Sequence, residues 1–161
     1  MSVTVLDSGP RQVSRTVEVA APADQLFDLI ADPHQHPEID GSSTVRSAIK
    51  GSSKLRSGDR FSIGMKMFGL PYRITSRVTR AEEGRVFEWQ HPLGHRWRWT
   101  FTPVTDSSGA SRSDATTVTE TFDYSMVGPV RAGSVKLPGF PKRNAAGIEA
   151  TLVRLQARYR G

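Results

Sequence analysis

The chain has 161 residues, is 37% hydrophobic and 24% charged, and carries a formal net charge of +6, a composition that suits a globular domain with a core, or a core and a pocket. The absence of cysteine excludes disulfide frameworks, thiolate nucleophiles and Cys-based zinc sites, and no run approaches the ~18 apolar residues needed to span a bilayer. Met1 to Pro10 has no cationic region and no apolar stretch of signal-peptide length, so the expectation is a cytoplasmic protein with one domain over 1–161 and an ordered core from about residue 11 to 160.

In chain order, Val13 to Val19 is rich in β-branched residues, with Val13, Val17 and Val19 on one parity, and predicts a first strand. Pro22 opens a helix whose Leu26, Phe27 and Ile30 fall at helical spacing, with Asp24 near its positive end. Asp32-Pro33 ends that helix, because a residue before proline is pushed out of the α region. A second short helical turn follows through His36 to Ile39 and closes at Gly41. Strand-like segments then run over Thr44–Lys50, Asp59–Met67, Tyr72–Arg80, Arg85–His91, His95–Val104 and Thr116–Tyr124, separated by Gly-, Pro- and Ser-rich turns. Among these turns the Ser/Gly-rich loop from Asp106 to Ser113 carries a flexible hairpin tip at Ser107 to Ser111.

After a Gly/Pro-rich passage (Gly128-Pro129, Gly133, Pro138-Gly139), Ile148, Leu152, Leu155 and Tyr159 mark one face of a long helix from about Lys142 to Tyr159. The charge is concentrated here. Fifteen Lys and Arg balance fifteen Asp and Glu through Val130, whereas from Arg131 onward seven cations (Arg131, Lys136, Lys142, Arg143, Arg154, Arg158, Arg160) face Glu149 alone. A solvated helix face, with its last-turn cations complementing the helix dipole, accounts for the excess; a patch for an anionic headgroup, membrane surface or nucleic acid is the sharper alternative. Clustered charge with no base-reading element predicts only weak, salt-dependent attraction to DNA, so no specific nucleic-acid partner is expected.

Strand, two short helices, a run of strands and one long helix specify an α+β protein whose curved antiparallel sheet is covered by the C-terminal helix. That order, together with Val17 to Pro33 (VEVAAPADQLFDLIADP), Thr117 to Asp123 (TVTETFD) and the closing helix, resembles the START-like (SRPBCC) superfamily, and within it the bacterial polyketide cyclase/dehydrase and lipid-transport group. The resemblance implies a helix-grip fold, a hydrophobic cavity under the last helix and no obligatory cofactor. It implies no single activity, since the superfamily includes lipid carriers, ligand sensors, aromatase/cyclases and chaperone activators.

Residues of one parity share a face of a strand, which gives the expected cavity lining. The rows are Phe61, Ile63, Met65 and Met67; Tyr72, Ile74, Ser76 and Val78; Phe87, Trp89 and His91; Trp97, Trp99 and Phe101; and Val118, Glu120, Phe122 and Tyr124. Ile63, Met65, Tyr72, Ile74, Phe87, Trp89, Trp97, Trp99, Glu120, Phe122 and Tyr124, with Ile148 and Leu152 from the helix, are the candidate ligand contacts. Arg96, Arg98 and the threonines 117, 119 and 121 occupy the opposite parity.

Glu120 is the informative exception among apolar neighbours. A buried carboxylate is either paired or neutral with a raised pKa; otherwise a one-residue bulge turns it outward. His91 and Tyr72 share the predicted inner face and are its candidate companions, although His91 also sits at a turn. Asp32 to Asp40 (DPHQHPEID) has the composition of a metal loop, but His34 and His36 stand only two apart between constraining prolines. The resemblance places this segment at an ordinary connection beside the cavity mouth, and no metal is expected.

The leading function is therefore binding of a small lipid-like or aromatic molecule. The alternative is a polyketide aromatase/cyclase or dehydratase, with Glu120 as acid/base and Tyr72, His91 or Tyr124 polarising a carbonyl. A third reading is a protein-interaction role for the basic last helix. The sequence leaves monomer and homodimer open.

Overall fold

The structure, a computed structural model, describes residues 2–128 and 139–161. β1 (Thr4–Leu6) and β2 (Gln12–Val19) lead into α1 (Ala23–Ala31), a 3-10 turn (Pro33–Gln35) and the short α2 (His36–Ile39). Then come β3 (Val45–Lys50), β4 (Arg60–Met67), β5 (Leu70–Glu82), β6 (Val86–Gln90), β7 (Arg96–Thr105), β8 (Ser111–Asp123) and the long α3 (Phe140–Arg158). The eight strands form one curved antiparallel sheet in the order β1-β2-β8-β7-β6-β5-β4-β3. From β3 to β8 the sheet is a meander, and β2 joins it by pairing with β8, from Gln12 opposite Asp123 to Val19 opposite Thr116. This is the helix-grip architecture.

Register shifts in β3, between Val78 and Arg80 in β5, and between Pro103 and Thr105 in β7 bend the strands. Extra residues of this kind increase local twist and let a sheet wrap. Two covers lie on its concave side. α1 presses Leu26, Phe27 and Ile30 into the core, where Phe27 meets Phe87 and Phe101 edge-on at 5.8 and 6.1 Å. α3 contributes Ile148, Leu152 and Leu155, each of them buried, and burial of such side chains stabilises a fold by roughly 1.5–3 kcal/mol apiece.

The elements differ from expectation at their ends. β1 was not predicted, because three residues carry no readable alternation; it pairs with Ser14 to Thr16 as an added edge strand. Pro22 is the cap residue of α1 rather than part of its first turn. β8 starts at Ser111, earlier than expected, because the hairpin tip is tight: Asp106 Oδ1 accepts hydrogen bonds from the Ser108 and Ala110 amides at 2.8 and 3.1 Å. Gly133, Pro138, Arg131 and Lys136 lie outside the described residues, as does the Met67 side chain.

The described cations of the C-terminal segment are exposed, and several fasten α3 to the α2 region. Arg158 pairs with Glu38 at 2.7 Å, and Arg154 donates to the Asp40 carbonyl. Gln156, on the same C-terminal turns, donates to the Glu18 carbonyl at 2.8 Å and joins the helix to β2. Among the described residues no helix is long and apolar enough to cross a membrane.

Gly41 and Gly147 sit where the α2–β3 loop meets α3. A Cβ on Gly41 would collide with the backbone of Ala150 and Thr151, whereas one on Gly147 would meet the Ser42 Cβ at 3.2 Å. Gly41→Ala is therefore expected to lose about 1–3 kcal/mol in urea denaturation. Gly147→Ala, with helix propensity in its favour, should stay within about 1 kcal/mol of the parent. Equal stability of the two variants would remove this contact from the account.

Candidate functional site

A cavity of about 690 Å³ lies between α3, the α2–β3 loop and the concave face of the sheet. β4 supplies Phe61, Ile63 and Met65, and β5 supplies Tyr72, Ile74 and Ser76. β6, β7 and the turn between them supply Trp89, His91, His95, Trp97 and Trp99; β8 supplies Glu120 and Phe122. The stretch of α3 from Arg143 to Thr151 closes the top with Arg143, Gly147, Ile148 and Thr151. Tyr72 at 36% and Leu93 at 47% exposure mark the mouth, where the Arg143 guanidinium lies 4.9 Å from the Phe68 ring.

Ile63, Met65, Tyr72, Ile74, Trp89, Trp97, Trp99, Glu120, Phe122 and Ile148, all expected on the lining, lie on it. Phe87, Tyr124 and Leu152 do not. Phe87 has the right parity but is covered by Phe27 of α1. Tyr124 falls one residue past β8 and stacks behind Phe122 at 5.4 Å, with Arg11 over its ring. Leu152, one turn beyond Ile148, is buried in the core cluster with Leu155. Parity gives the face of a strand, not which helix covers it.

Two wall histidines, His36 and His95, lie outside the lining expected from the sequence. His36 was weighed only as a metal ligand; instead its Nε2 bonds the Ile30 carbonyl at 2.7 Å and its ring stacks on Trp89 at 5.4 Å. Burial lowers its pKa. His34 points away, exposed and bonded to Asp32 at 2.8 Å, and among the described residues no three metal-ligating side chains gather. His95 shares parity with Trp97 and Trp99, a signal that was available. It stacks on His91 at 4.2 Å, and burial lowers His91 to about 4 and His95 to about 3, with His91 adding to the shift of His95.

Glu120 is 6% exposed and stands in register between Arg15 of β2 and Trp99 of β7. Arg15 does not pair with it; its Nη1 donates to the Ser14 carbonyl at 2.9 Å. The two expected companions are not beside it either. Tyr72 lies on β5, with β6 and β7 intervening, and His91 lies past the far end of β6. Glu120 Oε2 is buried with no hydrogen-bond partner among the described residues, and so is Trp99 Nε1. Burial pushes the Glu120 carboxyl well above 4.5, and the Asp40 carboxylate pushes it further. Asp40 is itself held by the amides of Ser42 and Val45 at 3.0 and 3.1 Å.

Residues 10–160 match the family described as polyketide cyclase/dehydrase and lipid transport. The chain is 54% identical over 161 residues to the uncharacterized protein Rv0088 of Mycobacterium tuberculosis, covering 99% of this chain and 69% of that one. It is similar in structure to a START superfamily protein from Mycobacterium smegmatis (TM-score 0.67, 18% identity, 92% of this chain and 96% of that one). It is also similar to the di-domain ARO/CYC BexL of the BE-7585A biosynthetic pathway (TM-score 0.62, 20% identity, 91% of this chain and 45% of that one).

A raised Glu120 pKa has a definite sign in stability. The contribution is fully present below the ordinary value of 4.5 and is lost as pH rises through the folded value. Glu120→Gln removes that loss, so the variant should gain on the parent in urea denaturation as pH rises above about 4.5, by at most about 1.4 kcal/mol per pH unit. The carboxyl carbon resonance of Glu120 should titrate over the same range. A pH-independent difference between the two proteins would show that Glu120 is not held neutral.

Proposed function

The chain belongs to the polyketide cyclase/dehydrase and lipid transport family, and from that premise we propose that it binds one small hydrophobic molecule, lipid-like or aromatic, between the sheet and α3. The observation that carries this reading is the cavity itself. Its 690 Å³ fits the roughly 300–1,000 Å³ usual for small-molecule sites, and it gathers all three tryptophans of the chain on one wall. Indole and phenyl faces set at 4.9 Å and 45°, as in Trp97 and Phe122, offer flat apolar surface to rings and chains alike.

N-phenyl-1-naphthylamine should bind with a stoichiometry near one and quench tryptophan fluorescence. Filling the cavity with Ile74→Trp, a half-buried wall position, should weaken that binding by roughly ten-fold or more without lowering the melting temperature. Undiminished binding by a folded Ile74→Trp protein would place the probe elsewhere.

One observation favours a second reading. A Glu120 carboxyl that faces the cavity and is held toward its neutral form by burial can serve as a Brønsted acid, the role the cyclase or dehydratase reading assigns to it, and BexL bears the designation ARO/CYC. If the protein turns over poly-β-carbonyl thioesters, Glu120→Gln should cut kcat by roughly 10²–10⁴-fold while leaving affinity nearly unchanged. A parent protein that binds these compounds without converting them is a carrier, and the enzymatic reading ends there.

A further inference from the structure

We propose that the inner end of the cavity is a receptor for an uncharged oxygen acceptor on the ligand, a ketone or quinone-type carbonyl, held jointly by the Trp99 indole N–H and the Glu120 carboxyl O–H. The inference rests on the cavity-binding reading and deepens it. Trp99 and Glu120 are 3% and 6% exposed, and they stand directly opposite each other on β7 and β8, so their side chains rise from one face. Both line the cavity, and each holds a buried polar atom, Nε1 and Oε2, without a partner among the described residues. Two adjacent unmade hydrogen bonds in one wall form a site that is complete only when something polar arrives, because a buried polar group left unpaired is costly.

The chemistry of the two groups selects the guest. Indole N–H only donates, and a carboxyl with no cation to ionise it also has a proton to give. Two neighbouring donors on one wall call for an acceptor. An anionic acceptor is disfavoured by the Asp40 carboxylate, which lies close enough to act on Glu120. A pure hydrocarbon would leave both groups unsatisfied. Beyond this pair the wall turns aromatic again at Trp97 and Phe122, so the carbonyl belongs at one end of an otherwise apolar or aromatic body.

Three naphthalenes of similar size test this by fluorescence titration: 2-acetylnaphthalene, its hydrocarbon counterpart 2-ethylnaphthalene, and 2-naphthoate. The ketone should bind about ten-fold more tightly than the hydrocarbon, and the carboxylate more weakly than the ketone. Trp99→Phe and Glu120→Leu should each shrink the gap between ketone and hydrocarbon, whereas Glu120→Gln, which keeps a donor, should preserve it. In the parent protein the Trp99 indole N–H resonance, assigned by its loss in Trp99→Phe, should move downfield with the ketone and not with the hydrocarbon. If N-phenyl-1-naphthylamine binds but the ketone gains nothing over the hydrocarbon, or the gap survives both Trp99→Phe and Glu120→Leu, the inference is overturned while the cavity reading stands. If no apolar probe binds at all, both are overturned.

Discussion

The cavity depends on how α3 is held above the sheet. At its C-terminal half the helix is seated directly, with Leu152 and Leu155 in the core and Gln156 bonded to the Glu18 carbonyl. At its middle the neighbour is the α2–β3 loop, brought to close contact by Gly41 and Gly147 and fixed by Thr151, whose hydroxyl accepts from the Gly41 amide at 2.9 Å. Arg154 and Arg158 add bonds to Asp40 and Glu38 on the solvent side. A helix seated on the sheet at its C-terminal end and propped on a loop at its middle leaves the space beneath residues 143–151 unfilled. The bulged strands β3, β5 and β7 deepen that space by bending the sheet away.

The sheet carries different electrostatics on its two faces, and a comparison of two buried glutamates, Glu88 on β6 and Glu120 on β8, shows what this means. Glu88, on the outer face and 5% exposed, receives Arg98 at 2.8 Å, Thr79 at 2.8 Å and Arg96 at 3.5 Å; Arg98 reaches on to Asp123 at 3.0 Å. Its charge is matched and its oxygens are bonded. Glu120, equally buried on the inner face, has neither cation nor bond at Oε2. Burial alone therefore does not account for Glu120 as ordinary structural polarity. A carboxyl without a counter-ion in an apolar wall stays neutral, and in that form it is a donor rather than a charge.

Much of this was legible in the sequence. Alternation in β4, β6, β7 and β8 is strong enough to assign the inner face residue by residue, and Glu120 stands out because it breaks that alternation. The long helix is equally plain from Ile148, Leu152 and Leu155. What the alternation does not carry is tertiary cover: Phe87 and Trp89 look alike in phase, yet α1 buries the first and the cavity receives the second. Nor does it rank position along a strand, which separates His91 and Tyr72, toward the mouth, from Glu120 within. His36 was obscured for a different reason. Its neighbours suggested a metal loop, and only the three-dimensional path of that loop turns its ring onto Trp89.

Taken together, His91, His95 and Glu120 on the sheet side of the wall titrate away from neutrality in opposite directions. His91 and His95, lowered to about 4 and about 3, contribute stability that is present above the usual histidine value of 6.5 and lost as pH falls through their folded values. Glu120 behaves in reverse, losing its contribution as pH rises through its raised value. Between these limits the stacked histidines and the inner carboxyl are all uncharged, each kept so chiefly by burial. That matters for the guest as much as for the fold. A molecule that binds only the native state adds stability by mass action, and an apolar molecule with a neutral carbonyl is best matched to a wall whose polar atoms are present but uncharged. Charging either end would restore its demand for water and set hydration against occupancy. The tryptophan-lined cavity and the unpaired polar atoms are therefore parts of one arrangement, in which the inner groups of the sheet wall are kept neutral and available to a ligand, while the charged Asp40 and Arg143 stand on the loop and helix side.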